Sequence, residues 1–154
     1  MKYFTILIML FTIMLPLTAQ ESSNIIQMKD FDKSMDGFSF AQGGLVKLSQ
    51  ESEGFPPEID FIFDMPSGLG MNNSELTEWF PGKTEIIDMG EISLDTETQV
   101  PTEGFTPFLG PEDIIPGHTY LIRTANTEYY GKINVVQFDE ENELIEFTWV
   151  FLVE

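Results

Sequence analysis

Few residues in this chain are of types that do chemistry. His118 is the single histidine. It stands in Pro116-Gly117-His118-Thr119, where a turn hands over to an apolar run. Zinc sites take three or four protein ligands, mostly Cys or His. The chain has no cysteine, so His118 reads first as a turn residue beside a strand. Serine and aspartate are present for a Ser-His-Asp set, but there is no G-x-S-x-G elbow, and Ser67-Gly68 lies in a loop-like stretch. Paired carboxylates are too common here to point anywhere. Asp60 and Asp64, four apart on one strand, stand about 13 Å apart by strand rise, wider than the roughly 5–9.5 Å of a glycosidase pair. Both are expected in solvent, and no catalytic residue is assigned.

Binding chemistry has three candidate sources. The run Asp30-Phe31-Asp32-Lys33-Ser34-Met35-Asp36-Gly37 puts side-chain oxygens at alternate positions, as calcium loops do. Asp30, Asp32, Ser34 and Asp36 are the metal candidates it offers. The run departs from the EF-hand pattern, because its glycine falls at position 8 and position 12 is Ala41. Lys33 also sets a cation among the oxygens, so a polar exposed segment is the plainer expectation. The acidic stretch Asp139–Glu143 reads as a hairpin loop. Aromatic rings can stack on sugars or other flat ligands. Trp79, beside Phe80-Pro81, and Tyr130, one of two adjacent tyrosines with rings on opposite strand faces, are the candidates, with His118 as a third ligand-binding residue. For Trp79 the plainer expectation is packing of a short helix against a sheet. Trp149 is expected in the core. Lys132 and Arg123 fall on strand-like runs, where pairing with a cross-strand Glu is the simple role.

The elements that would carry these residues are mostly strands. Residues 21–37 read as a polar lead-in with one short element, and residues 38–154 as a single β domain. Phe38 and Phe40 flank Gly43-Gly44 with Leu45, Val46 and Leu48, a hairpin or bulge pattern. Glu58–Asp64 alternates, with Ile59, Phe61 and Phe63 on one face. Met65–Met71 reads as a loop. Ser74–Phe80 predicts the one short helix, capped by Asn72, Asn73 or Ser74 and stopped by Pro81-Gly82. Glu85–Met89 and Glu91–Leu94 are short strand candidates, and the proline-rich stretch 101–117 is a long irregular connection. Thr119–Ala125, Glu128–Phe138 and Leu144–Val153 form a meander, with a turn at Asn126-Thr127. In the last strand Ile145, Phe147, Trp149, Phe151 and Val153 share one face. The fold class predicted is all-β: an antiparallel sandwich or partly open barrel of about seven to nine strands.

The N-terminus and the charge bound the setting. Residues 1–20 read as a signal peptide, with Lys2 as the charged n-region, Tyr3–Leu15 as the apolar run, Pro16 as its break and Ala19 at the cleavage point. The apolar run is shorter than the ~20 residues a spanning helix needs, and the mature chain carries no later transmembrane span. Without cysteine there is no disulfide, no thiolate metal site and no lipid-modified cysteine. The mature chain sets six cations against 26 acids, a balance of −20. That charge argues against DNA or RNA as a partner, because a polyanion would be repelled.

The C-terminal third carries a likeness. A strand ending at Thr124 is followed by the strand of Tyr130, Lys132, Ile133 and Val135, then by that of Ile145, Phe147 and Trp149. This succession resembles exported β proteins of the haem-binding HmuY-like group and related secreted domains, and Phe38-Ser39-Phe40 to Val46 resembles their opening strand. The resemblance implies a β fold and export. Haem binders of that group use an axial histidine pair, and one histidine supplies no pair to carry over.

The function expected is an exported, non-enzymatic β domain that binds a ligand or protein partner in the periplasm, at the cell surface or after release. The alternatives are a haem binder with unusual ligands such as His118 and a Met, a calcium-dependent module, and a carboxylate hydrolase.

Overall fold

The computed structural model describes residues 20–49, 55–124 and 129–153. The leader before Gln20 and the Asn126-Thr127 turn lie outside the described residues. Ten strands are present: β1 (Gln20–Lys29), β2 (Asp36–Ser39), β3 (Gly44–Lys47), β4 (Phe61–Asp64), β5 (Gly68–Met71), β6 (Glu85–Asp88), β7 (Phe108–Leu109), β8 (Thr119–Arg123), β9 (Tyr129–Asp139) and β10 (Leu144–Val153). A single helical turn, α1 (Phe31–Ser34), follows β1, and a 3-10 turn covers Pro111–Asp113. One sheet runs β1-β10-β9-β8-β6, and the other β3-β2-β4-β5-β7. All pairings are antiparallel. The sheets do not close into a barrel; they face each other as a sandwich, which settles the choice left open by the sequence.

The core follows from alternation. Phe38, Phe61, Phe63, Leu69 and Met71 from the second sheet meet Ile122, Ile133, Val135, Ile145, Phe147 and Trp149 from the first. Phe38 packs edge-on with Phe40, Phe147 and Trp149 and stacked with Phe61, at 5.1–5.6 Å between ring centres, the separations at which aromatic pairs attract. Trp149 is in the core as expected. A second cluster of Leu48, Ile59, Ile62 and Phe80, with Phe31, Met35, Val46 and Phe55 against it, lies on the other face of β4. Ile59 therefore does not share a face with Phe61 and Phe63. It precedes the strand and packs with Ile62, on the opposite face from Phe61 and Phe63.

Several elements differ from their sequence reading. The polar lead-in is β1, an edge strand that pairs with β10 through a register shift between Ser22 and Ile26. Met65–Met71 contains β5 (Gly68–Met71), where Gly68 allows close approach. A Cβ on Gly68, at φ +95, would meet the Leu109 carbonyl oxygen of the β7 segment at 2.1 Å. Glu91–Leu94 forms no strand, and Ser74–Phe80 forms turns rather than a helix. In β9 a bulge lies opposite Glu146/Phe147. It restores Phe138 to the core side and leaves Val136 turned out, 44% exposed.

Candidate functional site

The connection from β5 to β6 is built on two asparagines. Asn72 Nδ2 donates to the Ile59 carbonyl at 2.7 Å, and its Oδ1 accepts the Gly82 amide at 3.0 Å. Asn73 Nδ2 donates to the Thr84 carbonyl, and its Oδ1 accepts the Glu75 amide at 2.9 Å. Asparagine side chains of this kind offer the backbone turns in place of a helix, and a seven-residue helix has little stability of its own. That is why the expected helix is absent. The turns bury Phe80, which meets Phe55 edge-on at 4.5 Å. The Trp79 carbonyl accepts the Phe55 amide at 3.1 Å. Trp79 itself points outward and is 58% exposed, with Leu76 exposed nearby in sequence. The packing expected for its ring is therefore taken by its neighbour Phe80.

His118 is fixed at the start of β8. Its Nδ1 lies 3.1 and 2.9 Å from the two Asp88 carboxylate oxygens. Asp88 also accepts the Gly90 amide at 2.7 Å. The backbone here is a turn: the His118 amide donates to the Ile115 carbonyl, and Gly117 sits at φ +90. A carboxylate that orients an imidazole is the arrangement by which hydrolytic triads hold their base. Among the described residues the partner of the ring is the Asp88 carboxylate, and no hydroxyl hydrogen-bonds to it.

Tyr130 pairs with Arg123 across β8–β9. Arg123 Nη1 donates to Glu85 at 3.0 Å, and its guanidinium lies 4.3 Å over the Phe105 ring. Arg123 thus has its cross-strand Glu. Lys132 does not; its partners are backbone carbonyls of a loop, described below. Tyr130 stands level with Arg123 at one end of β8, and His118 precedes the other end, about 17 Å away along five strand steps. His118 and Tyr130 therefore do not meet in one site. Trp79 lies in a different connection.

The acidic candidates divide. The carboxylates of Asp30 and Asp32 meet that of Asp64, the last residue of β4, with ligand atoms all within 4.8 Å of one another. Asp30 is 3% exposed, and its Oδ2 accepts the Met65 amide at 2.6 Å. Ser34 and Asp36 are not part of this group. Ser34 Oγ donates to the Lys29 carbonyl, and Asp36 pairs with Lys47 at 3.2 Å. Asp64 was missed because the packing of α1 on β4 leaves no local trace in the sequence. Asp139 closes the β9–β10 turn by accepting the Asn142 amide and side chain, and those bonds hold its carboxyl below the usual range.

Asp60, expected in solvent, is buried. Its Oδ2 accepts the Phe40 amide at 2.8 Å. Burial pushes its carboxyl up to about 6, against the lowering effect of that hydrogen bond. It lies beside buried Ser39 and Asn72 in the second sheet. No helix among the described residues is long and apolar enough to cross a membrane. The chain matches no family model and no curated protein sequence.

Proposed function

We propose that this chain is an exported, non-enzymatic β-sandwich that binds a partner through the Trp79 turn. The observation that carries the proposal is the exposed indole on an anchored turn. Phe80, Asn72 and the Phe55 amide hold the backbone in place while the Trp79 ring faces solvent. Exposed Trp on a rigid support is the kind of residue that dominates binding energy at interfaces. Export rests on the leader read from residues 1–20. The likeness of the C-terminal strands to the HmuY-like group supports the same address. The non-enzymatic reading is supported by the separation of His118 from Tyr130 and by the pairing of the His118 ring with Asp88.

Two measurements on the protein expressed with its leader test this. Cell fractionation with N-terminal sequencing is expected to find an exported chain starting near Gln20. A hydrolase panel covering esters, glycosides, peptides and phosphoesters is expected to show no turnover. Retention of an uncleaved leader in the cytoplasm, or turnover that disappears in His118→Ala, overturns the proposal.

A second reading, a calcium-dependent module, is favoured by the meeting of Asp30, Asp32 and Asp64. Surface acids gather without an ion in many proteins, so it ranks behind the first. A ligand that binds only the folded state must raise its stability. On this reading millimolar calcium raises the Tm of the wild type but not of Asp64→Asn. A Tm equal in calcium and in chelator removes it.

A further inference from the structure

Residues 89–107 connect β6 to β7 and form no strand; only Thr106 makes an isolated bridge, to Ile86. Ordered connections longer than about 12–15 residues with no secondary structure of their own are uncommon, and many of them are lids or binding loops. This one crosses the outer face of the first sheet. Both its ends are tied by backbone pairs. Met89 N–H donates to Thr119 O, and Thr119 N–H to Gly90 O, at one end; Thr106 and Ile86 exchange bonds at the other.

Between those ends the hydrogen bonds to the sheet are few. Lys132 Nζ donates to the Leu94 carbonyl at 3.3 Å and to the Thr96 carbonyl at 2.6 Å. Thr119 Oγ1 donates to the Ile92 carbonyl at 2.5 Å. Lys132 is 2% exposed although it lies on the outer face. Its register row is Val150, Lys132, Leu121 and Ile87, across four strands. Val150 and Leu121 are buried as well. No residue of the crossing loop from Gly90 to Pro107 is itself fully buried, and Glu91, Asp95, Glu97 and Glu103 are all exposed. The loop therefore covers the sheet without becoming part of a core. Burial pulls the Lys132 ammonium down from its ordinary pKa, and Asp95 in the loop opposes that.

We infer that residues 90–106 form a strap latched on Lys132, which opens as a unit while the sandwich stays folded and so uncovers the apolar row of Ile87, Leu121 and Val150. The strap is a cooperative element of its own, tied at its two ends and held between them by the Lys132 ammonium on two carbonyls, the Thr119 hydroxyl on the Ile92 carbonyl and the Arg123 guanidinium over Phe105. Few contacts and solvent-facing backbone are the features of segments that open locally below the global unfolding free energy.

Hydrogen exchange read by mass spectrometry tests this on the wild type and on Lys132→Met, which keeps the length of the stem and removes the donors. Strap peptides of the variant are expected to exchange roughly ten-fold faster or more, the scale of losing hydrogen bonds from a charged donor, with β9 and β10 peptides unchanged. An equal change in strap and strands, or no change in the strap, overturns the inference. The wild type supplies a second reading that does not depend on the variant folding. In rising sub-denaturing urea its strap amides are expected to exchange ahead of β9 with little urea dependence. Exchange of strap and β9 together, with one shared urea dependence, contradicts a separate strap.

Discussion

The Phe40 amide donates to the Asp60 carboxylate at 2.8 Å, and it gives that buried group its one side-chain hydrogen bond among the described residues. A carboxylate 6% exposed with no cation paired to it is costly to keep charged. Its folded-state pKa is raised to about 6, against 3.8 as the ordinary value. A raised folded-state pKa means that the stability this group contributes is fully present below about pH 4. It is lost as pH rises through about 6. A shift of this size corresponds to about 3 kcal/mol.

Asp60→Asn keeps an acceptor for the Phe40 amide and removes the charge. Urea unfolding at pH 7 is expected to find the variant more stable than the wild type, by up to about 3 kcal/mol. At pH 4 the two should converge, because the wild-type carboxyl is then protonated. Comparing the two proteins cancels the general relief of repulsion among the other acids. A variant no more stable than the wild type at pH 7 contradicts this account of Asp60.

Gly68 and Gly44 separate two meanings of glycine in a strand. A Cβ on Gly68 would strike the Leu109 carbonyl at 2.1 Å, and its φ is +95; a Cβ on Gly44 meets nothing within 4 Å. Gly68→Ala is expected to cost about 2 kcal/mol or more, from overpacking and backbone strain together. Gly44→Ala should stay within about 0.5 kcal/mol of wild type, as surface changes usually do. Chemical denaturation of both variants checks the contrast. Equal effects would mean that β5 and β7 do not approach each other as described.

The two tryptophans differ sharply in environment, with Trp79 58% exposed and Trp149 5% exposed. Acrylamide, an uncharged quencher unaffected by the acidic surface, is expected to quench about half of the native fluorescence readily, on the simple count of one accessible ring in two. In Trp79→Phe the remaining emission should be blue-shifted and poorly quenched. Accessible quenching that survives in Trp79→Phe would place Trp149, not Trp79, in solvent.

Much of the fold was legible from alternation. Phe61 and Phe63, and Ile145, Phe147 and Trp149, face the core because strand side chains alternate, and the all-β class follows from such runs. The misses have physical causes. β1 reads as polar because an edge strand buries only part of one face. β5 reads as a loop because it is rich in glycine, yet Gly68 is there for close approach to the Leu109 carbonyl. Ser74–Phe80 carries caps and a stop that suit a helix, yet Asn72 spends its side chain on the distant Ile59 carbonyl and Gly82 amide, and Asn73 divides its own between the distant Thr84 carbonyl and the nearby Glu75 amide. The candidate site was legible only as separate residues. Trp79 was found by type, but its exposure depends on Phe80 taking the apolar pocket beside Phe55. Asp64 joins Asp30 and Asp32 only through tertiary packing, and the burial of Asp60 and Lys132 depends on chain segments far away in sequence.

A partner bound at Trp79 is captured by placing a photoreactive benzophenone amino acid at position 79 and, as a control, at exposed Val136. Each chain is expressed with its leader in the cells that make the protein, and the exported fraction is irradiated. A discrete adduct at position 79, defined by mass and absent from the Val136 control, is the expected result. No adduct at position 79, or the same set of adducts at both positions, contradicts the claim.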